Sequence, residues 1–183
     1  MTRETVRAEI IEEGLRQDIL WLLITVYSYL TRAQFKGLSQ MSREQFAVDA
    51  ILLDSAARDI VARLTALDDD TRHNRSFQTL FAAMKREGLD ARRAKELDSK
   101  VKAYRKTVNE LKVSHRNHYI AHVNTNAVIT PRVLDDPIPF GKVASMAVNL
   151  LDEMVEETVN YIFKVASDHK IDLRKALSAK PEA

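Results

Sequence analysis

The chain has no cysteine, few glycines and prolines, and no apolar run of membrane-spanning length. The absence of cysteine excludes disulfides, thiolate metal sites and cysteine nucleophiles, and it leads us to expect a reducing cytoplasmic location. With four glycines and four prolines in 183 residues, a sheet protein built from hairpins is disfavoured. Long helices joined by short turns are favoured instead.

The most apolar stretch, residues 19–30, lies between Asp18 and Arg32. It falls well short of the roughly 20 residues that a transmembrane helix needs. We therefore interpret it as a buried helix and predict no membrane association. The first residues, MTRETVRAEIIEEG, carry charges of both signs and contain no apolar signal core, so we expect no secretion signal.

Charge is nearly balanced overall, at +2, but it is unevenly distributed along the chain. Residues 70–116 carry 13 Lys+Arg against 6 Asp+Glu, whereas residues 1–69 carry 8 against 11 and residues 117–183 carry 7 against 9. The plain interpretation of this basic block is a solvated helix face, as most charge runs are. The functional interpretation is a footprint for a polyanion. Charge alone favours the plain one.

Apolar residues recur at helical spacing along most of the chain, and capping signals separate the segments. Ser42 and Gln45 have the spacing of a capping box, Ser76 and Asp90 are N-cap residues, and glycines at 37 and 88 indicate helix ends. The resulting helices span about residues 4–34, 42–68, 76–88, 90–122 and 140–167. We predict an all-α fold, a four- to five-helix antiparallel bundle.

The same pattern predicts one domain over residues 1–177, followed by a disordered tail at 178–183. A chain of this length buries a core without disulfides or metals. No internal repeat or linker divides it. Between residues 123 and 139 the apolar residues no longer follow helical spacing, so we predict a loop there. Loops of this length are uncommon in compact domains and are more often functional than not.

Residues 115–124, HRNHYIAHVN, contain three of the five histidines. On a helix, His115, His118 and His122 continue an apolar stripe whose steps alternate between four and three residues. The upstream members of that stripe are Leu97, Val101, Tyr104, Val108 and Leu111. A stripe of core residues therefore ends in titratable rings.

Metal binding is one interpretation of the three histidines, because three imidazoles and an open position match the ligand count of a catalytic zinc site. However, His115 and His122 lie about 10.5 Å apart along a helix axis, too far to share one ion at bonds near 2 Å. At most His118 and His122 would share a metal, with other ligands from elsewhere. We predict no metal site and no cofactor.

Arg116, Asn117 and His122 suit a different chemistry. A histidine exchanges protons near neutral pH, and a guanidinium matches the oxygen geometry of a phosphate. Together they suit cleavage of an RNA phosphodiester, in which the 2′-hydroxyl is activated and the anionic phosphorus is stabilised. On an ideal helix Arg116 and His122 are about 120° and 9 Å apart. A kink, a helix end or a second subunit would close that gap.

The string RNHYIAHVN resembles the R-N/D-x-x-I-A-H signature of the HEPN superfamily, in particular its AbiU-type abortive-infection branch. Arg116, Asn117 and His122 match, with five residues between the arginine and the histidine. The resemblance implies a bundle of four to five helices with the motif near the end of a long helix. It also implies a homodimer in which both copies contribute Arg116 and His122 to one cleft.

Active members of the superfamily are metal-independent endoribonucleases that serve as toxins or defence effectors, and other members are inactive or bind nucleotides. The resemblance therefore implies catalysis by Arg116 and His122 with Asn117 beside them, RNA as substrate and an antitoxin as a further partner. In one toxin–antitoxin group a tyrosine two residues after the motif histidine is nucleotidylated. That position is Asn124 here, so the same regulation is not expected.

The basic helix before the motif is the predicted RNA-binding surface, through Lys102, Arg105, Lys106 and Lys112. We interpret His115 and His118 as the polar end of the packing stripe. The alternative is a non-catalytic helical module for dimerisation or for nucleotide or RNA binding. In that case the arginine and histidine are structural or only bind phosphate.

Overall fold

A computed structural model describes residues 7–71, 74–115, 139–166 and 168–178, apart from the side chains of residues 39, 114 and 115. Within these ranges the chain forms six α-helices, one 3-10 turn and a two-stranded sheet. The helices are α1 (Ala8–Ala33), α2 (Arg43–Ala66), α3 (Phe77–Arg86), α4 (Ala91–His115), α5 (Phe140–Val155) and α6 (Leu173–Ser178), and the strands are β1 (Ile162–Lys164) and β2 (Lys170–Asp172). The predicted all-α class is confirmed.

Helix α1 is central, because it packs against α2, α3, α5 and α6. Its residues Leu15, Ile19, Leu22 and Val26 are fully buried, and they have the helical spacing that places them on one face. Tyr29, near its C-terminal end, makes an edge-to-face contact of 5.2 Å with Phe140 at the start of α5. Among the described residues no helix is both long and apolar enough to cross a membrane.

The helix ends follow the predicted capping signals, with one exception. Ser42 Oγ accepts a hydrogen bond from the Gln45 amide at 3.2 Å, and Gln45 Oε1 accepts one from the Ser42 amide at 3.3 Å, which confirms the capping box. The Asp90 carboxylate accepts from the Arg92 amide at 3.1 Å, and Gly88 takes a positive φ of 101° after α3. The predicted helix end at Gly37 is wrong, since α1 ends at Ala33 and Gly37 lies inside the 3-10 turn Lys36–Gln40.

The prediction of one helix over residues 140–167 is also wrong beyond α5. Glu156 takes a left-handed conformation with φ 56° and ends the helix. The chain then forms β1, which pairs antiparallel with β2 so that Phe163 lies opposite Ile171. Val159 and Tyr161 are buried here, whereas Ile162, which helical spacing assigned to the core, is exposed.

Asp152 joins this hairpin and α6 to the bundle. Its carboxylate accepts a hydrogen bond from the Val159 amide at 3.0 Å and from Arg174 Nη2 at 2.6 Å. Arg174 Nη1 in turn donates to the Val159 carbonyl at 2.8 Å. Because both side chains are mostly buried, this set of bonds holds α5, the hairpin and α6 together.

Helix α4 packs against α2 and α5 through the predicted stripe. Leu97, Val101, Tyr104 and Val108 are buried, and Leu111 is partly buried against the core. This part of the stripe is confirmed. The expected continuation of α4 to residue 122, the loop at 123–139 up to residue 138, and tail residues 179–183 lie outside the described residues.

Candidate functional site

Two consecutive residues of α4 bind the C-terminal end of α2. The Tyr104 hydroxyl donates to the Leu64 carbonyl at 3.0 Å. Arg105 Nε donates to both Asp68 carboxylate oxygens, at 2.9 and 3.1 Å, and its Nη2 donates to the Asp68 carbonyl at 3.2 Å. Because these bonds satisfy acceptors at a helix end, they fix the position of α4 against α2 near the middle of α4.

The basic block that precedes the predicted motif is largely paired within the described chain. Lys100 forms an ion pair with Glu153 of α5, and Arg93 contacts Glu96 and Glu156. Arg75 pairs with Asp18 of α1 at 3.2 Å. Much of the positive charge in the sequence therefore stabilises contacts between helices, and Lys100, although exposed, contributes to the contact between α4 and α5.

The four predicted RNA-binding residues differ in their surroundings. Lys102 is exposed and lies 2.6 Å from Asp98, one turn earlier on the same helix. Lys106 and Lys112 are exposed, and within the described residues neither forms an ion pair. Arg105 is directed to Asp68 and lies 3.6 Å from Asp70, although its Nη1 makes no hydrogen bond within the described chain. Of these four residues, Lys106 and Lys112 are thus the exposed ones that form no ion pair within the described chain.

Two shallow depressions flank this end of α4. One, of about 690 Å³, is lined by Lys102, Arg105, Lys106, Asn109, Glu110 and Val113. The other, of about 550 Å³, lies between α4 and the end of α2, with Asp68, Asp69 and Asp70 on one side and Arg105 and Lys112 on the other. The first depression brings Lys102 and Lys106 together, whereas Lys112 lies on the second.

The acidic turn after α2 was predicted as a helix end and not as part of a site. Asp69 accepts hydrogen bonds from the Thr71 amide and from Asn74 Nδ2, both at 2.8 Å. The bonds from Thr71 and Asn74, with a smaller electrostatic contribution from Lys112, lower the pKa of Asp69. This carboxylate therefore stays ionised opposite Lys112, and the depression between α2 and α4 carries charges of both signs.

The predicted catalytic residues Arg116, Asn117 and His122 all lie outside the described residues, and so do His118 and the side chain of His115. The described helix ends directly before Arg116. Across the described ranges no group of three histidine, aspartate or glutamate side chains has an arrangement that would hold a metal ion. The structure therefore describes the helix that precedes the predicted site, and Arg116, Asn117 and His122 stay a prediction from the sequence.

Comparison with known proteins identifies the family of the chain, which the described part of α4 alone does not. The family model for AbiU2, a group of HEPN domains, matches residues 8–178 of the chain. The chain belongs to the HEPN AbiU2 family. This membership extends over every described helix, so the resemblance first noted in residues 116–122 holds for nearly the whole length. Neither the curated proteins nor the solved structures gave a match.

Proposed function

We propose that this HEPN AbiU2 protein is a metal-independent endoribonuclease with a toxin or phage-defence role. The observation that carries the proposal is the family match over residues 8–178 together with the motif Arg116, Asn117 and His122. The described part of α4 supports it, because its exposed lysines lead along the helix to the residue before Arg116.

The proposed reaction uses groups that the motif supplies. His122 removes the proton from the RNA 2′-hydroxyl, and the resulting alkoxide attacks the adjacent phosphorus. The bond between phosphorus and the 5′-oxygen breaks, and that oxygen takes up a proton from water. Arg116 binds the phosphate oxygens, whose negative charge is greatest in the transition state. Asn117 orients His122 or binds the phosphate. The products are a 2′,3′-cyclic phosphate and a 5′-hydroxyl.

The approach to the site is proposed to bind the RNA backbone through Lys102, Lys106 and Lys112. Val113, Asn109, Lys106 and Lys102 recur at helical spacing on one side of α4, and continuing α4 would place Arg116 in the same row. Arg105 contributes through its Nη1 group while its other nitrogens hold Asp68. Removing a lysine that contacts phosphate reduces the salt dependence of binding by about one unit of slope.

Incubation of the purified protein with labelled RNA, with and without EDTA, tests the reaction. We expect cleavage that survives EDTA, leaves 2′,3′-cyclic phosphate ends and is lost in both His122→Ala and Arg116→Ala. His169→Ala is the matched control, because His169 is an exposed histidine in the β1–β2 turn. Loss of cleavage on chelation would contradict the proposal and indicate a metal site that includes His118 and His122.

The binding surface is tested separately by RNA affinity as a function of salt. Lys106→Ala and Lys112→Ala should each weaken binding and reduce the slope. Lys95→Ala is the control, since Lys95 is an exposed lysine in the first turns of the same helix, far from the motif. An equal effect of all three substitutions would contradict a localised RNA path.

The second candidate function is a non-catalytic module that binds nucleotides or RNA or mediates dimerisation. It is favoured by the extensive pairing of the basic block, which gives many of its charges a structural role. This candidate predicts RNA binding that depends on Lys106 and Lys112 but no cleavage under any condition. A homodimer and an antitoxin remain predicted partners under the first candidate.

A further inference from the structure

One face of α2 is apolar and open to solvent over the first half of the helix. Val48 is 57% exposed, and Ile51 and Leu52 are each 61% exposed. On a helix, these residues share one side with Glu44 and Ser55, and we call these five residues the α2 stripe. Contiguous exposed apolar side chains of this size mark interaction surfaces more often than isolated ones do.

We propose that the α2 stripe is the surface through which two copies of this chain pair. The occupant is indicated by the charges at the two ends of the apolar part. Glu44 lies seven residues before Ile51 and Arg58 lies seven residues after it. When two such helices pack antiparallel across a two-fold axis at Ile51, each Glu44 faces Arg58 of the second copy.

The charges at the two ends of the stripe are therefore complementary to those of a second copy. A surface that binds an unrelated protein does not need this symmetry. Both charged side chains reach the surface, since Glu44 is exposed and the Arg58 side chain is 52% exposed while it contacts Asp54 at 2.9 Å. Between them the outward positions carry no charge. The small side chains of Ala47 and Ser55 allow the two helices to approach closely.

The position of α4 gives this pairing a consequence for the proposed function. The start of α4 contacts the residue after α5, through Arg93 and Glu156. The start of α5 contacts the end of α1, and the end of α1 pairs with the start of α2, through Arg32 and Asp49, so α4 runs antiparallel to α2. Its last described turn is thus directed along α2 toward the stripe. In the pair, the C-terminal ends of both α4 helices point toward the two-fold axis. The inference rests on the proposed function and deepens it, because it assigns the interface of the proposed homodimer.

Sedimentation velocity on the full chain over a range of concentrations tests the pairing. We expect a dimer for the unmodified protein and association weakened by about tenfold or more in Ile51→Asp, because the substitution buries a charge at the centre of the interface. At a concentration at which both proteins are monomeric, the melting temperature should not change, since Ile51 is exposed in the single chain. Ile10→Asp is the matched control, as Ile10 is 62% exposed on α1, and it should leave association unchanged.

Charge reversal provides a second measurement that misfolding does not imitate. Glu44→Arg and Arg58→Glu should each weaken association, and the double variant should restore it. A protein that is monomeric at every concentration would overturn the proposal, and so would a dimer that persists in Ile51→Asp. A fall in melting temperature without a change in mass would also overturn it, since the stripe would then be covered within one chain.

The association and cleavage measurements test the interface and the endoribonuclease separately, so either proposal can be contradicted without the other. A dimer that is lost in Ile51→Asp but never cuts RNA would contradict the endoribonuclease and leave the interface intact. Cleavage by a monomer would contradict the interface and leave the endoribonuclease intact.

Discussion

Two buried tyrosines differ in how their hydroxyl groups are satisfied. Tyr104 is 1% exposed, donates to the Leu64 carbonyl at 3.0 Å and packs edge-to-face on Phe77. Leu64 lies in the last turn of α2. In a continuing helix its carbonyl would accept from the Asp68 amide, but that amide donates to the Thr65 carbonyl. The Tyr104 hydroxyl therefore satisfies a helix-end carbonyl that has no backbone donor. The Tyr161 hydroxyl is equally enclosed but has no hydrogen-bond partner among the described residues.

Tyr104→Phe should therefore lower the free energy of unfolding by about 1–2 kcal/mol, because the Leu64 carbonyl is left buried without a donor. Urea denaturation followed by circular dichroism measures this change. Tyr27→Phe is the control. Tyr27 is partly buried, and within the described chain its hydroxyl makes no hydrogen bond. Equal losses in the two variants would show that the Leu64 contact has no energetic role.

Tyr161→Phe should have the opposite outcome, with no loss of stability or a gain of up to about 1 kcal/mol. Removing the hydroxyl removes a polar group whose burial is not compensated by a hydrogen bond. The same urea titration measures it. A loss as large as that of Tyr104→Phe would mean that the hydroxyl is bonded in solution.

At the scale of the elements, residues whose structure depends on near neighbours could be predicted and those that depend on distant contacts could not. The capping boxes at Ser42 and Ser76 need only the next three residues. The hairpin was missed although residues 159–164 alternate between buried and exposed positions. Thr158, Ile162 and Val165 also fit helical spacing, so the pattern suited a helix as well as a strand. In addition, the helix ends at a left-handed Glu156, where a glycine would have indicated the helix end in the sequence.

The candidate site shows the same division. The row of exposed lysines on α4 was predictable, because helical spacing alone determines which residues share a face. The contact between Arg105 and Asp68 spans 37 positions and depends on how α2 and α4 pack. No local pattern in the sequence distinguishes Arg105 from Lys106, yet one is held by a carboxylate and the other is exposed.

The hairpin and α6 depend on Arg174, and this gives a prediction at the same scale. Arg174→Ala should cost about 2 kcal/mol, between the values for exposed and fully buried pairs, because it leaves the Asp152 carboxylate without its guanidinium partner. Thermal and urea unfolding measure the loss. Lys175→Ala is the control, since Lys175 is 87% exposed and lies 3.6 Å from Asp172, and it should change stability by less than about 0.5 kcal/mol.

At the scale of the whole molecule, stability should decline at alkaline pH. Burial, followed by the nearby carboxylates of Asp68 and Asp152, raises the pKa of Tyr104 and of Tyr161 above the ordinary 10.0. A raised pKa in the folded state means that stability is fully present below pH 10 and is lost above it, because the unfolded chain releases these protons first.

The free energy of unfolding should therefore fall above about pH 10, with each buried tyrosine contributing up to about 1.4 kcal/mol per pH unit. The double variant Tyr104→Phe, Tyr161→Phe should show a shallower decline between pH 10 and 11 than the unmodified protein. Urea midpoints across that range measure it. An equal slope in the double variant and in the unmodified protein would rule out the two tyrosines as the cause.

The contacts of Tyr104 and Arg105 with the end of α2 also determine the rotational phase of α4. Adjacent residues on a helix point about 100° apart, so two neighbouring side chains bonded to Leu64 and Asp68 prevent α4 from turning about its own axis. Because a helix resists twisting, the rotation of α4 about its axis at residues 104 and 105 also determines the rotation at its C-terminal end. Substitution of Arg105 would thus change the direction in which the last turn of α4 presents its side chains, even where its axis does not move.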